Sequence, residues 1–123
     1  LKNSKAYPVC FDRKEEKDHG EGGVLIGSVE NKRVLVVDDV LTAGSALRNA
    51  IKLVDESGGK VVAAVVALDR EEKNKDAGTI KESLEGELNI PIRAIASISR
   101  LTNFLEQENL QEQADLIKQH YLK

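Results

Sequence analysis

The sequence is poor in the residue types that mark several classes of protein. It has a single cysteine, Cys10, which excludes an internal disulfide and is typical of a protein of the reducing cytoplasm. No apolar run approaches the roughly 20 residues that cross a bilayer, and the start carries no signal-peptide pattern, so we expect no membrane partner. The 18 basic residues are outnumbered by 21 acidic ones, which argues against a nucleic-acid partner.

Methionine is also absent, so Leu1 is not a natural translation start. Strand-like sequence follows Leu1 without a start signal, and we therefore expect the chain to be the C-terminal portion of a longer protein. Its 123 residues, 41% of them hydrophobic, are enough for one domain with a hydrophobic core. We expect a single domain over residues 1–123.

Apolar runs with strand character recur along the chain, with helical patterns between them. The predicted strands are 6–11, 24–29, 34–37, 61–68 and 90–98. Residues 12–23 are charged and glycine-rich, which predicts an exposed loop at the tip of a long hairpin. The runs 34–37 and 61–68 are continuous rather than alternating, and this is typical of parallel strands that are covered on both faces.

Helical stripes connect the later strands. Leu47, Ala50, Ile51 and Val54 recur at helical spacing, and glycines at 58–59 end that helix. Thr79 to Glu82 matches a capping box at the start of a second helix, and one or two helices are expected after residue 98. A strand, a helix and a strand at this spacing predict a parallel βαβ unit, and the fold class is α/β.

The stretch VLVVDDVLTAGSAL (34–47) carries the strongest sign of function. Asp38 and Asp39 follow four apolar residues, at the carboxyl end of a strand, where open parallel sheets bind ligands. The next residues are small or hydroxylated and lead into a helix, whose N-terminus favours a phosphate. Carboxylates would repel that phosphate but can accept hydrogen bonds from a sugar diol, so the pattern predicts a ribose 5-phosphate site.

Plainer interpretations of this stretch stay open at the level of its residues. Ser45 could cap the helix instead of contacting a ligand, and the two acids could cap a turn. The stretch is neither a Walker A loop nor a dinucleotide fingerprint, because the glycine spacing of both is absent.

Three segments, in the same order, resemble motifs of type I phosphoribosyltransferases. Residues 34–46 are similar to the motif of that family for phosphoribosyl pyrophosphate (PRPP): four apolar residues, two acids, two variable residues and Thr-x-Gly-Ser. The segments DRKEEKDHGEGG (12–23) and ALDREE (67–72) resemble the catalytic loop and a later motif of the orotate-specific members. The resemblance implies the type I phosphoribosyltransferase fold, a largely parallel sheet flanked by helices, with a long hairpin that carries a mobile catalytic loop.

The resemblance also implies an activity and roles for individual residues. The activity is transfer of the 5-phosphoribosyl group from PRPP to orotate, giving orotidine 5'-monophosphate and pyrophosphate in de novo pyrimidine biosynthesis. The implied catalytic residues are Lys17, His19, Asp38 and Asp39, and the implied orotate-binding residues are Thr42 and Arg70. The implied PRPP-binding residues are Arg13, Lys14, Lys17, His19, Asp38, Asp39, Val40, Leu41, Thr42, Ala43, Gly44, Ser45 and Ala46.

Cofactor and partners follow from the same resemblance. We expect Mg²⁺ to be bound mainly through PRPP, without a dedicated protein metal site. We also expect a homodimer in which some loop residues reach into the neighbour's site. Two other functions stay open. One is a phosphoribosyltransferase for another base, although the presence of Asp69-Arg70 and of the loop argues against it. The other is a non-enzymatic PRPP-binding regulator, although the presence of Lys17 and His19 argues against it.

Overall fold

Strands and helices alternate along the chain, as the sequence predicts. The computed structural model describes residues 6–14, 23–75 and 78–121. The strands are β1 (Phe11–Lys14), β2 (Gly23–Ile26), β3 (Arg33–Leu41), β4 (Lys60–Asp69) and β5 (Ile92–Ser97). The helices are α1 (Ser45–Glu56), α2 (Ile80–Leu88), α3 (Ile98–Gln107) and α4 (Gln111–Tyr121). The α/β class is confirmed, and none of the described helices is long and apolar enough to cross a membrane.

The last three strands form a parallel sheet with the order β3-β4-β5. Leu41 is in register with Asp69 at the carboxyl ends of β3 and β4, and Ala64 is in register with Ile92 across β4 and β5. The predicted βαβ unit is therefore confirmed as β3-α1-β4. β3 is longer than the predicted strand, because its pairing with β4 continues past Val37 through both acids to Leu41.

One face of this sheet carries the main hydrophobic core. Leu47 of α1 and Leu84 of α2 are fully buried there against Ala64 and Val66 of β4 and Ile92 of β5. The helical stripe of α1 and the helix that begins at Thr79 are thus confirmed as core-facing. Burial of each such leucine contributes roughly 1.5–3 kcal/mol.

The other face of the sheet contradicts the prediction that β3 is covered on both sides. Burial along β3 alternates, and Leu35 and Val37 are exposed. The reason is that α1 and α2 pack on the face of Val36 and Ala64, and no described element covers Leu35 or Val37.

The hairpin is present, but its first strand differs from the prediction. Residues 6–10 are not regular, and β1 begins only at Phe11, which pairs with Ile26 in an antiparallel ribbon. Pro8 has no N–H to donate to a sheet, and Gly27, at φ 113°, ends β2. A Cβ at Gly27 would lie 2.6 Å from the Cys10 sulfur, so this glycine is also required by close packing.

The helix ends follow local rules. The Thr79 hydroxyl accepts from the Glu82 N–H at 3.2 Å, and the Glu82 carboxylate accepts from the Thr79 N–H at 2.9 Å, which confirms the capping box. Two helices follow β5, and an ion pair between Lys118 of α4 and Glu106 of α3 links these helices.

Candidate functional site

Asp38 and Asp39 lie within β3, close to its carboxyl end at Leu41. Asp38 is half-buried and Asp39 is exposed, as the alternation of a strand requires. Each carboxylate accepts a backbone N–H: Asp38 from Asp39 at 2.9 Å, and Asp39 from Val40 at 2.6 Å. An ionised carboxylate has further acceptor positions, so both acids keep capacity for a ligand that donates hydrogen bonds.

The turn after β3 leads directly into α1. Thr42, Ala43 and Ser45 are exposed, and Gly44 is the N-cap, at φ 81° and ψ 5°. Gly44 rather than Ser45 is the N-cap, so the interpretation of Ser45 as a cap is wrong, and among the described residues no side chain caps this helix. Its first turn carries no acid. The N–H groups at the start of α1, with the positive end of the helix dipole, therefore offer a site for an anion.

Gly44 is also fixed by packing. A Cβ at this position would lie 2.5 Å and 2.7 Å from the two terminal carbons of the Leu84 side chain. The left-handed backbone and the close approach both demand glycine. The neighbouring Leu41 is buried in the same core, so its side chain is not available to a ligand.

Arg48, which the sequence analysis did not single out, ties the turn to α2. Its guanidinium donates to both Glu87 carboxylate oxygens, at 2.7 Å and 2.5 Å, and to the Ala43 carbonyl at 3.0 Å. The hydrogen bond from Arg48 holds the pKa of Glu87 below its ordinary value, and the same bond raises the pKa of Arg48. A cation in the first turn of a helix is unfavourable because it lies at the positive end of the helix dipole, so an anionic partner is expected. The neighbouring sequence does not identify that partner as Glu87, which is 39 residues away.

Arg70 stands at the carboxyl end of β4, next to the turn. Leu41 and Asp69 are in register, so Thr42 and Arg70 both follow the last paired position. Arg70 is half-buried, donates to Glu72 at 2.5 Å and stacks on the Tyr121 ring at 5.5 Å. Its Nε is buried and finds no acceptor within the described parts of the chain.

The loop that carries Arg70 is held by Glu71, another residue that the sequence analysis left without a role. Glu71 has φ 53°, and its N–H donates to the buried Asp69 carboxylate at 2.8 Å. Its own carboxylate accepts from the Ser99 N–H at 2.6 Å, at the start of α3. A left-handed glutamate cannot be recognised from sequence, and this contact spans 28 residues.

Two of the four residues that were predicted to act from the loop lie in a strand instead. Arg13 and Lys14 belong to β1 rather than to the loop, because the ribbon pairs them with Val24 and Gly23. Lys17 and His19 lie outside the described residues. The structure thus brings together the acids, the turn through residue 46 and Arg70.

A metal site is not built by the side chains that the structure describes. Within residues 6–14, 23–75 and 78–121, no group of three or more histidine, cysteine or acidic side chains could hold a metal ion.

The acid pair, the helix N-terminus and the small-residue turn lie together at one edge of the parallel sheet, and comparison with known proteins shows the family to which the chain belongs. The chain belongs to the phosphoribosyl transferase domain family, whose sequence model matches residues 6–94. That range contains every site residue that the sequence predicts. The type I phosphoribosyltransferase fold is confirmed by this match and by the solved structures below.

The curated relatives are orotate phosphoribosyltransferases. The protein of Aliivibrio fischeri is 41% identical over 112 residues, 90% of this chain and 53% of that protein. The protein of Acinetobacter baylyi is 42% identical over 105 residues, 85% of this chain and 49% of that protein. The chain thus spans about half the length of the curated relatives it matches.

Solved structures of the same enzyme share the fold. Orotate phosphoribosyltransferase of Francisella tularensis superposes with a TM-score of 0.67 at 27% identity, over 91% of this chain and 55% of that one. The enzyme of Aeropyrum pernix gives a TM-score of 0.60 at 28% identity, over 83% of this chain and 52% of that one.

Proposed function

We propose that this chain forms part of an orotate phosphoribosyltransferase, which transfers the 5-phosphoribosyl group from PRPP to orotate and releases pyrophosphate. One observation carries the proposal. The carboxyl ends of β3 and β4 bring an acid pair, a helix N-terminus that no described side chain caps and the half-buried Arg70 to one edge of the sheet.

The 5-phosphate of PRPP would be held by the turn and the start of α1. The exposed small side chains at 42–46 let backbone N–H groups approach the phosphate closely, and the hydroxyls of Thr42 and Ser45 add donors. Arg48 holds the Ala43 carbonyl and so keeps the turn in place before the ligand arrives.

Asp38 and Asp39 would accept the ribose hydroxyls. As the bond to pyrophosphate breaks, positive charge develops at the anomeric carbon of the ribose. Ionised carboxylates near that carbon stabilise the charge more in the transition state than in the ground state, which is the requirement for catalysis.

Arg70 would bind the orotate carboxylate. Its guanidinium is half-buried and pairs with Glu72. The planar donor fork of arginine is well matched to a carboxylate, which it can bind in bidentate geometry. Thr42, which follows the neighbouring strand, would lie beside the base.

Charge on the departing pyrophosphate would be stabilised by Lys17 and by a hydrogen bond from His19, with Arg13 and Lys14 of β1 adding positive charge. Mg²⁺, bound mainly through PRPP oxygens, would neutralise part of the same charge. We further propose that the enzyme acts in the cytoplasm as a homodimer in which loop residues are shared across the interface. Intact mass and light scattering of the active protein would test the dimer.

The test is Mg²⁺-dependent pyrophosphate release from PRPP by the full-length gene product that carries these residues, with orotate or hypoxanthine as acceptor. We expect release with orotate only. Release with hypoxanthine would make it a phosphoribosyltransferase for another base. PRPP binding without turnover on either base would make it a regulator.

Lys17→Ala should lower turnover by at least about 100-fold while PRPP still binds, because it removes a charge that acts on the leaving group. The matched control is Lys52→Ala, an exposed lysine on α1 that should leave turnover unchanged. Asp38→Asn combined with Asp39→Asn should instead abolish the ribose site. Full activity of that double variant would refute the role of the acids.

A further inference from the structure

The last helix, α4, ends against the arginine at the carboxyl end of β4. The Arg70 guanidinium lies over the ring of Tyr121, the last residue of α4, with its central carbon 5.5 Å from the ring centre. The His120 ring packs edge-on against the same ring, at 4.6 Å between centroids. A cation is attracted by the negative face of an aromatic ring, and more strongly where water is excluded. Arg70 and Tyr121 are both half-buried, so their contact is partly shielded from solvent.

The next residue of the same loop is also held by the C-terminal helices. The Glu71 carboxylate accepts the Ser99 N–H at 2.6 Å, at the start of α3. The ion pair between Lys118 and Glu106 links α4 to α3. The loop after β4 is therefore fixed to the pair of C-terminal helices at two consecutive residues, 70 and 71.

Glu72 restrains the Arg70 guanidinium from a second direction. A Glu72 carboxylate oxygen lies 2.5 Å from an Nη of Arg70, while the Tyr121 ring supports the guanidinium carbon. A free arginine side chain loses much of its rotamer freedom when a ligand immobilises it, and this loss weakens binding. Arg70 has already lost that freedom in the folded chain, so it meets a ligand in a fixed orientation.

We propose that Tyr121 is a positioning residue for the base site: it holds the Arg70 guanidinium ready for the orotate carboxylate. The inference rests on the proposed function, because it takes Arg70 as the residue that binds orotate. It extends the base site to α4, a helix to which the sequence analysis assigned no part in function.

The test is steady-state kinetics of the full-length gene product that carries these residues. Tyr121→Leu removes the aromatic face and keeps an apolar side chain. It should raise KM for orotate at least about three-fold, with KM for PRPP within about two-fold of the wild type. Tyr121→Phe keeps the ring and should behave as the wild type. Phe104→Leu, at an aromatic residue of α3 that is 56% exposed, is the matched control and should change neither KM.

Fluorinated phenylalanines at position 121 give a second series in case leucine disturbs the packing of α4. Fluorine withdraws negative charge from the ring face and changes its shape little, so KM for orotate should rise with each added fluorine. In an Arg70→Ala background, kcat/KM for orotate should no longer depend on fluorine, because the ring then has no guanidinium to hold.

The outcomes separate this inference from the proposed function. Orotate turnover with a KM that responds neither to Tyr121→Leu nor to fluorine overturns the positioning role alone. An equal rise in KM for PRPP, or a fluorine effect that persists in Arg70→Ala, does the same. A wild-type protein that turns over no orotate refutes the proposed function, and this inference falls with it.

Discussion

Gly44→Ala gives the sharpest test of how the anion site is built. Alanine in a left-handed backbone costs roughly 1–2 kcal/mol. The new methyl would also lie 2.5 Å from a terminal carbon of Leu84, which is fully buried and packed within the core. Overpacking of this kind costs about 1–3 kcal/mol, so we expect the free energy of unfolding to fall by about 2–5 kcal/mol in all.

The assay is urea unfolding of the chain followed by far-ultraviolet circular dichroism, since the sequence has no tryptophan for fluorescence. Gly86→Ala is the matched control. It lies within α2, and a Cβ there meets no described atom within 4 Å, so this substitution should stabilise the helix by about 0.5–1 kcal/mol.

A double-mutant cycle separates the two causes. In a Leu84→Ala background the overpacking should disappear, and Gly44→Ala should then cost only the backbone strain of about 1–2 kcal/mol. A loss below about 0.5 kcal/mol in the native background would refute the geometry. Because Gly44→Ala is expected to destabilise the fold, a loss of activity in this variant would not by itself establish that Gly44 contacts a phosphate.

Two further substitutions test the helix ends and the charge pair. Thr79→Ala removes the cap of α2 and should cost about 1 kcal/mol in the same assay, with no loss contradicting the capping box. Glu87→Gln should lower stability at pH 7, and the difference from wild type should shrink as acid protonates the carboxylate. The hydrogen bond from Arg48 holds the pKa of Glu87 below its ordinary value, so the ionised carboxylate stabilises the fold at neutral pH and its contribution is lost as the pH falls through the lowered pKa. A difference that did not shrink on acidification would contradict this pairing.

The features that sequence predicted correctly are those that local rules determine. The stripe of α1 and the capping box at Thr79 each follow from spacing over a few residues, and the parallel pairing of β3 with β4 follows from the order of strand, helix and strand. The acid pair and the turn after it are equally local, so their position at the strand end could be read directly. The family resemblance adds the roles of the individual residues to this framework.

The features that sequence missed depend on contacts between distant residues. Arg48 reaches Glu87 across 39 positions, and Glu71 reaches Ser99 across 28. Both contacts hold loops of the candidate site, yet each residue alone has the appearance of an ordinary surface charge. Such pairs become visible only when the sheet and its helices have brought them together.

The incorrect prediction for β3 carries a different lesson. A strand that faces solvent on one side is expected to alternate apolar and polar residues, but 34–37 is apolar throughout, and Val37 is 73% exposed. The sequence of β3 is therefore suited to a sheet that is buried on both faces, although the described residues bury only one. The same mismatch recurs at Ile95 on β5, which is also apolar and exposed. Two separate strands thus carry apolar residues toward the same face of the sheet, which the described residues leave exposed.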